Sequence, residues 1–125
     1  MKKYLQISIG ELLDKISILE IKSSKIYDRK KLSHVNHELA ILRQESSSIE
    51  GSEEWISKLK LVNSKLWDVE DSLRRKEGEQ SFDSEFIELA RSVYFLNDER
   101  FNVKNDINLS YDSDIKEQKS YQKYN

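Results

Sequence analysis

The sequence has 125 residues, the usual size of one globular domain, and a chain of this length buries roughly two-thirds of its unfolded surface. It contains no proline, three glycines and 35% charged residues, which favours long helices over a sandwich or barrel with many tight turns. The net charge of −2 gives no long-range attraction for nucleic acid or an anionic membrane, and the lack of cysteine excludes disulfides and sulfur-ligated metals. No apolar stretch approaches the ~20 residues of a membrane span, and no signal-length apolar run begins the chain. We therefore expect one helical domain over residues 1–125, located in the cytoplasm.

The first predicted helix begins at Ser8, because Ser8 and Glu11 have the spacing of a reciprocal capping box directly before an apolar segment. With about 100° of rotation per residue, one face of this helix is continuously apolar. That face consists of Ile9, Leu12, Leu13, Ile16 and Leu19. Because Ile18 and Ile21 lie almost opposite this face, we predict a central helix with neighbours on two sides.

The second predicted helix runs from about Arg29 to Ser46, with apolar residues at spacings of three and four, and a serine-rich loop follows it. Ser52 is a candidate cap for a third helix that reaches about Lys76. Its apolar stripe consists of Trp55, Leu59, Val62, Leu66, Val69 and Leu73. The segment around Gly78 is predicted to end this helix.

Asp83 is a candidate N-cap for a fourth helix that extends to about Leu109. The residues predicted to face inward are Phe86, Leu89, Val93, Leu96, Val103 and Ile107. The last two helices would each be about 35 to 40 Å long at ~1.5 Å per residue. The predicted fold is all-α, an antiparallel four-helix bundle with two shorter and two longer helices and a polar C-terminal tail over residues 110–125, either loose or packed back as a short helix.

Polar residues occupy stripes that should face the core of this bundle. They are Glu20 on the first helix, Asn63, Glu70 and Arg74 on the third, and Asn97, Arg100, Lys104 and Asn108 on the fourth. An unpaired buried charge costs several kcal/mol, so these side chains should either neutralise one another or surround a polar ligand. The first alternative is an internal network that fixes the register of the bundle. The second is an anion-binding pocket between the first, third and fourth helices.

Carboxylate pairs at i, i+3 provide a candidate metal site. Glu11 with Asp14 and Glu85 with Glu88 could each bind one Mg²⁺ ion from a helix face. In the all-helical nucleotide pyrophosphohydrolases, magnesium is held between such pairs on adjacent helices. Simpler roles are available, because Glu11 fits the capping box and can pair with Lys15, while Glu85 and Glu88 favour the dipole of the fourth helix. His34 and His37 are best interpreted as solvated side chains.

The chain resembles a bacterial family of unknown function whose members occur as short separate proteins or joined to repeat proteins, near genes for surface-polysaccharide glycosyltransferases. The resemblance covers nearly the whole length. Its carriers are the segment from Ser8 to Lys22, Val62–Asn63, the segment from Leu66 to Asp71, the segment from Phe82 to Tyr94, then Asn97, Asp98, Arg100, Lys104, Ile107, Asn108 and the segment from Lys119 to Tyr121. It implies an association with cell-envelope glycan assembly but no activity.

Two classes of function follow from these patterns, and the sequence leaves open whether the protein is an enzyme. The first is a small binding or assembly module without a cofactor. Its polar pocket would bind an anionic small molecule, or the module would bind an enzyme of glycan synthesis, and it would form a homodimer. The second is a Mg²⁺-dependent nucleotide pyrophosphohydrolase with the four carboxylates as ligands. Electrostatic catalysis on a small dicarboxylate, as in helical chorismate mutases, is a third alternative by analogy alone.

Overall fold

The computed structural model describes residues 1–124, and in this part of the chain four helices pack against one another without any strand. Helix α1 spans Ile9–Lys25, α2 Arg29–Ser46, α3 Ser52–Glu79 and α4 Ser84–Ser110. The predicted all-α fold with two shorter and two longer helices is confirmed. None of the helices among residues 1–124 is both long enough and apolar enough to cross a membrane. Asn125, the last residue of the predicted tail, lies outside the described residues.

Helix α1 is the centre of the fold, as its two apolar sides predict. It contacts all three other helices, whereas α2 packs mainly on α1, and α3 and α4 pack on each other. The fully buried side chains of the core include Leu13 and Ile16 of α1, Leu59 of α3 and Ile107 of α4. Burying a large aliphatic side chain contributes about 1.5–3 kcal/mol, so this junction of three helices supplies much of the hydrophobic stabilisation.

The N-terminal caps agree with prediction at two helices and differ at α3. The Ser8 hydroxyl accepts a hydrogen bond from the Glu11 N–H, and Asp83 caps α4 through the Phe86 N–H. The capping box at Ser8 is not reciprocal, because the Glu11 carboxylate binds Lys104 instead. At α3 the prediction of Ser52 as cap is wrong. Gly51 holds that position at a φ of 79°, a left-handed conformation that glycine adopts without strain.

The C-terminus of α3 also lies beyond the predicted one. Gly78 is inside the helix, and Gln80 takes the left-handed conformation with φ of 53°. The Gln80 N–H donates to the Glu77 and Lys76 carbonyls, and the Ser81 N–H donates to the Lys76 carbonyl. These bonds satisfy carbonyls that a helix end leaves free. The helix therefore ends by backbone hydrogen bonding and not at its glycine.

The paired helices α3 and α4 extend well past α1. Helix α1 has 17 residues against 28 in α3 and 27 in α4, so at ~1.5 Å per residue it covers only part of the pair. Between residues 67 and 100 the only buried side chain is that of Lys76. Phe86, Leu89, Val93 and Leu96 were predicted to face a core, but they are only partly buried. No third helix lies over them. We call residues 67–100 the arm.

Residues 111–124 contain no helix and run back along α4. The Ser113 N–H donates to the Asn108 carbonyl, Glu117 reaches Lys104, and the Tyr124 hydroxyl donates to the Asp98 carboxylate. The C-terminal segment therefore passes the turns of α4 in reverse order. The segment packs back on α4, as one of the two predictions for this tail states, but it is extended and not helical.

Candidate functional site

A buried amide connects α1, α3 and α4 at the centre of the polar stripes. The Asn63 Nδ2 group donates to Asp14 Oδ1 and to Ser17 Oγ, both at 2.8 Å. The Ser17 hydroxyl in turn donates to the Asp14 carbonyl at 2.7 Å. On its other side, Asn63 Oδ1 accepts a hydrogen bond of 3.2 Å from Arg100. Because Asn63 and Asp14 are buried, this arrangement fixes the relative position of the three helices.

Lys104 lies one turn further along α4 and is surrounded by carboxylates. Its Nζ is 2.8 Å from Glu11 Oε2, 2.8 Å from Glu117 Oε1 and 4.0 Å from Asp14 Oδ2. The Lys104 side chain is only 9% exposed. These contacts form a closed network, as in the first alternative predicted from the sequence. Lys104 compensates part of the charge of the three carboxylates, and Lys119, 3.3 Å from Glu117 Oε2, compensates a further part.

The first turn of α1 approaches α4 very closely at Gly10. Its N–H donates to Asn108 Oδ1 at 2.7 Å. A Cβ atom at this position would lie 2.7 Å from the Lys104 carbonyl oxygen and 2.9 Å from Asn108 Oδ1. Only glycine permits this approach, which brings Glu11 and Asp14 within reach of Lys104.

The charges in this network alter one another's protonation. Burial raises the pKa of Asp14 above its usual 3.8, although the hydrogen bond from Asn63 and the positive charges of Arg100 and Lys104 act in the opposite direction. Burial alone would lower the pKa of Lys104, but its hydrogen bonds to Glu11 and Glu117 outweigh that effect and raise it. Burial likewise acts to raise the pKa of Glu117, and the contact with Lys104 lowers it overall. The ammonium is therefore held firmly in its charged form.

Arg100 has a different environment from Lys104. Its guanidinium donates to two side-chain amide oxygens, those of Asn63 at 3.2 Å and Asn97 at 2.8 Å. Among residues 1–124 it has no carboxylate oxygen within 4.0 Å, since none of the ion pairs in this part of the chain includes it. Neutral acceptors thus orient the guanidinium without neutralising it, and three of its five N–H donors are left for other partners.

Arg100 lies at the end of a cleft between α1, α3 and α4 with a volume of about 200 Å³. The walls are Ile18, Ile21, Lys22, Asn63, Leu66, Trp67 and Glu70. Three of the predicted ligand-binding residues, Asn63, Glu70 and Arg100, therefore meet at one cavity between the three predicted helices. Lys22 adds a second cation, and Trp67 adds a large apolar wall.

Residues 1–124 match a protein family over this whole arrangement. The chain belongs to DUF6165, a family of unknown function. Comparison with the curated proteins finds no match, and comparison with the solved structures finds none either. Membership in DUF6165 agrees with the resemblance seen in the sequence. It assigns no activity, so the chemistry of the DUF6165 chain has to be argued from its own residues.

Other predicted site residues of this DUF6165 chain lie away from Arg100. Glu20 is engaged between helices, with Lys60 of α3 at 3.3 Å and Arg43 of α2 at 3.4 Å. Arg74 is exposed and lies outside the cleft, further along α3. Asn97 supports Arg100, whereas Lys104 belongs to the closed network. His34 and His37 are exposed, as expected of solvated side chains.

The two carboxylate pairs of the magnesium hypothesis do not meet. Glu11 and Asp14 contact Lys104, and Glu85 lies about 28 Å away from Lys104 along α4 at ~1.5 Å per residue. Glu85 pairs with Lys76 at the far end of the arm. Within residues 1–124 no group of three or more histidine, cysteine, aspartate or glutamate side chains is placed to hold a metal ion. The geometry therefore separates Glu11 and Asp14 from Glu85 and Glu88, and they cannot share an ion.

Sequence reasoning missed three parts of the polar region. Gly10 lies between the two residues of the predicted capping box, and the close approach that a glycine inside an apolar helix indicates was not predicted. Ser17 gave no separate signal because serine is common on helices. Glu117 lies in the polar C-terminal segment, where no periodic pattern indicates a partner. Lys15, the partner predicted for Glu11, pairs with Glu38 of α2 at 3.7 Å instead.

Proposed function

We propose that the protein is a small non-catalytic binding module that holds an anionic small molecule against Arg100, in the cleft between α1, α3 and α4. The observation that carries this proposal is the contrast in pairing along α4. Lys104 is neutralised by surrounding carboxylates, whereas Arg100 is oriented by two amide oxygens and keeps its charge and three donors available. A planar guanidinium held in this way matches the oxygens of a carboxylate or phosphate.

The dimensions of the cleft favour a small ligand. Its volume of about 200 Å³ is below the roughly 300–1,000 Å³ of drug-sized pockets, so a phosphate or carboxylate with a short substituent fits best. Lys22 provides a second positive charge, and Trp67 and Ile18 offer apolar surface to the substituent. Glu70 lies in the same wall and supplies an acceptor for hydroxyl groups.

The association with glycan synthesis that the family resemblance implies suggests phosphorylated sugars as the first ligands to test. Short sugar phosphates combine a dianionic group with hydroxyl donors, which suits an arginine beside a carboxylate. This choice rests on the chemistry of the cleft and on the resemblance together. The proposal requires no metal ion and no covalent step.

The test is ligand-induced thermal stabilisation with inorganic phosphate and glycerol 3-phosphate as probes. A ligand that binds only the folded state raises the melting temperature in a concentration-dependent way. We expect both probes to stabilise the wild-type protein, Arg100→Ala to lose this stabilisation, and Arg100→Lys to retain part of it. Arg75→Ala is the matched control, because Arg75 is an exposed arginine on α3 outside the cleft.

Chemical-shift perturbation by the same probes separates a folding defect from a binding defect. In the wild-type protein, the amides around Asn63, Trp67 and Arg100 should shift with a common dissociation constant. If Arg100→Ala remains folded and is stabilised as much as the wild type, the proposal is wrong. If the wild-type cleft amides do not respond to either probe, it is wrong as well.

A further inference from the structure

A second cavity lies between α4 and the C-terminal segment. Its volume is about 600 Å³, within the range of small-molecule sites. Its walls contain the aromatic residues Tyr94 and Phe95 of α4 and Tyr121 of the C-terminal segment, with polar side chains among them. Neither Arg100 nor any wall residue of the α1–α3–α4 cleft lines this cavity. It is a separate space with different chemistry.

The aromatic wall is held together by ring contacts and one carboxylate. The ring of Tyr124 packs against Tyr94 and Phe95, with centroid distances of 5.3 and 5.0 Å. Its hydroxyl donates to Asp98, and this hydrogen bond is the first reason that the pKa of Tyr124 rises to about 12. Tyr124 is therefore a protonated donor that fixes the C-terminal segment on α4. The rings of Tyr94 and Phe95 remain about half exposed.

The polar groups of the cavity have distinct binding capacities. Asp98 is an acceptor-only carboxylate that takes hydrogen bonds from the Tyr124 and Tyr121 hydroxyls. A carboxylate has about four lone-pair sites, so it can still accept from a further hydroxyl donor. Arg91 and Lys119 bring two positive charges to the same walls. Arg91 forms no ion pair within residues 1–124, and Lys119 contacts Glu117. The cavity thus combines aromatic faces, one hydroxyl acceptor and an unpaired cation.

We infer that this cavity binds a saccharide with an anionic substituent. Aromatic faces carry partial negative charge, so they attract the polarised C–H groups on one face of a sugar ring. Asp98 accepts hydrogen bonds from sugar hydroxyls, and Arg91 binds the phosphate or carboxylate substituent. The inference goes beyond the proposed function, since it uses a different cavity and none of its cationic residues.

The orientation of the rings favours a saccharide over a nucleobase. The interplanar angles are 41° for Tyr94 with Phe95, 66° for Tyr94 with Tyr124 and 89° for Phe95 with Tyr124. No two of these three rings are parallel, so they cannot sandwich a flat heterocycle between them. A sugar ring stacks on a single aromatic face and is hydrogen-bonded by polar groups at its edge. Tyr94 provides such a face, and Asp98, one turn further along α4, provides the polar group.

The test is isothermal titration of the full chain with glucose 1-phosphate, methyl glucoside, uridine monophosphate and inorganic phosphate, with amide shifts to locate binding. We expect glucose 1-phosphate to bind most tightly and to shift the amides of Tyr94, Asp98 and Tyr121. Methyl glucoside should bind at the same amides but more weakly, because it lacks the charge for Arg91. Inorganic phosphate should leave these amides unchanged.

Variants assign the roles of the individual residues. Tyr94→Ala and Asp98→Asn should each weaken glucose 1-phosphate binding by about tenfold, on the order of one favourable contact. Arg91→Ala should weaken glucose 1-phosphate but leave methyl glucoside unaffected, and it removes no ring contact on which the C-terminal segment depends. Tyr27→Ala is the control, because Tyr27 is a 93% exposed tyrosine that is not among the wall residues of the cavity.

Arg100→Ala should retain glucose 1-phosphate binding at the aromatic cavity, which separates this inference from the proposed function. Uridine monophosphate binding as tightly as glucose 1-phosphate would overturn the choice of ligand. A lack of saturable sugar binding in the wild type, or an equal loss in Tyr27→Ala, would overturn the site itself.

Discussion

Lys104 and Arg100 are one helical turn apart on α4, yet they have opposite environments. Lys104 is nearly covered and lies among Glu11, Asp14 and Glu117, whereas Arg100 is only partly covered and contacts amide oxygens. The difference shows that a continuous polar stripe in the sequence does not correspond to one continuous role in the fold. A cation among carboxylates holds helices together, whereas a cation that contacts only amide oxygens has no counter-charge within hydrogen-bonding distance, as the proposed anion site requires.

The largest effect expected on stability is that of Lys104→Ala. Removal of the ammonium leaves Glu11 and the buried Asp14 without their lysine partner and leaves Glu117 with Lys119 alone, so the free energy of unfolding should fall by about 3 kcal/mol. Lys60→Ala is the control, because the Lys60 side chain is half-exposed and Glu20 keeps its second partner, Arg43, so the loss should be less than ~1 kcal/mol. Urea denaturation measures both. Equal losses in the two variants would contradict the distinction between a buried network and a surface pair.

Gly10→Ala tests the close approach that assembles the Lys104 side. The new Cβ would collide with the Lys104 carbonyl oxygen and Asn108 Oδ1, and the backbone carbonyl cannot rotate away, so we expect a loss of about 2 kcal/mol. Gly78→Ala is the control. Gly78 lies within α3 with no atom within 4 Å of its added Cβ, so this change should stabilise the protein by ~0.5–1 kcal/mol. A neutral Gly10→Ala variant in thermal unfolding would contradict the packing described here.

Arg100→Ala should cost less stability than either change. It removes hydrogen bonds to two neutral amides and leaves no carboxylate without a partner, so the loss should be about 1 kcal/mol. The same urea measurement applies, with Arg75→Ala as the exposed control. A loss as large as that of Lys104→Ala would mean that Arg100 is structural, and the contrast between the two residues would disappear.

The smallest effect expected is a pair of opposite pH dependences. Asp14 has a folded-state pKa above 3.8, so its contribution to stability is complete below that pH and is lost as the pH rises through the folded pKa. Glu117 has a folded-state pKa below 4.5, so its contribution is present above 4.5 and is lost as the pH falls through the folded pKa. The free energy of unfolding of the wild type minus that of Asp14→Asn should therefore fall as the pH rises. The corresponding difference for Glu117→Gln should rise. Denaturation between pH 3 and 7 compares them, and parallel trends would be inconsistent with the environments described.

The sequence patterns predicted where the helices lie better than they predicted how deeply the side chains on each helix face are buried. The bounds of α2, the caps at Ser8 and Asp83 and the central place of α1 follow from local chemistry that the chain displays directly. The partial exposure of Phe86 and Val93 could not be predicted in this way. It depends on how far α1 extends along the α3–α4 pair, which is a property of three-dimensional packing.

The candidate site was predicted in part for the same reason. Helical periodicity placed Asn63, Arg100 and Lys104 on facing stripes, but it could not determine which cation receives the carboxylates. That outcome depends on Gly10, which sets the distance between α1 and α4, and on Glu117, which reaches Lys104 from a segment without periodicity. The aromatic cavity was missed because it forms only when the C-terminal segment returns along α4.

The contacts of α1 with the last turns of α4 also have a consequence for biosynthesis. Gly10 binds Asn108, Glu11 binds Lys104 and the Ile9 N–H donates to Ser113, so α1 is completed by residues that follow it 93 to 104 positions later in the chain. Until those residues leave the ribosome, the apolar stripe of α1 has only α2 and α3 to cover it. Apolar surface that stays exposed during synthesis makes a partly folded chain prone to aggregation.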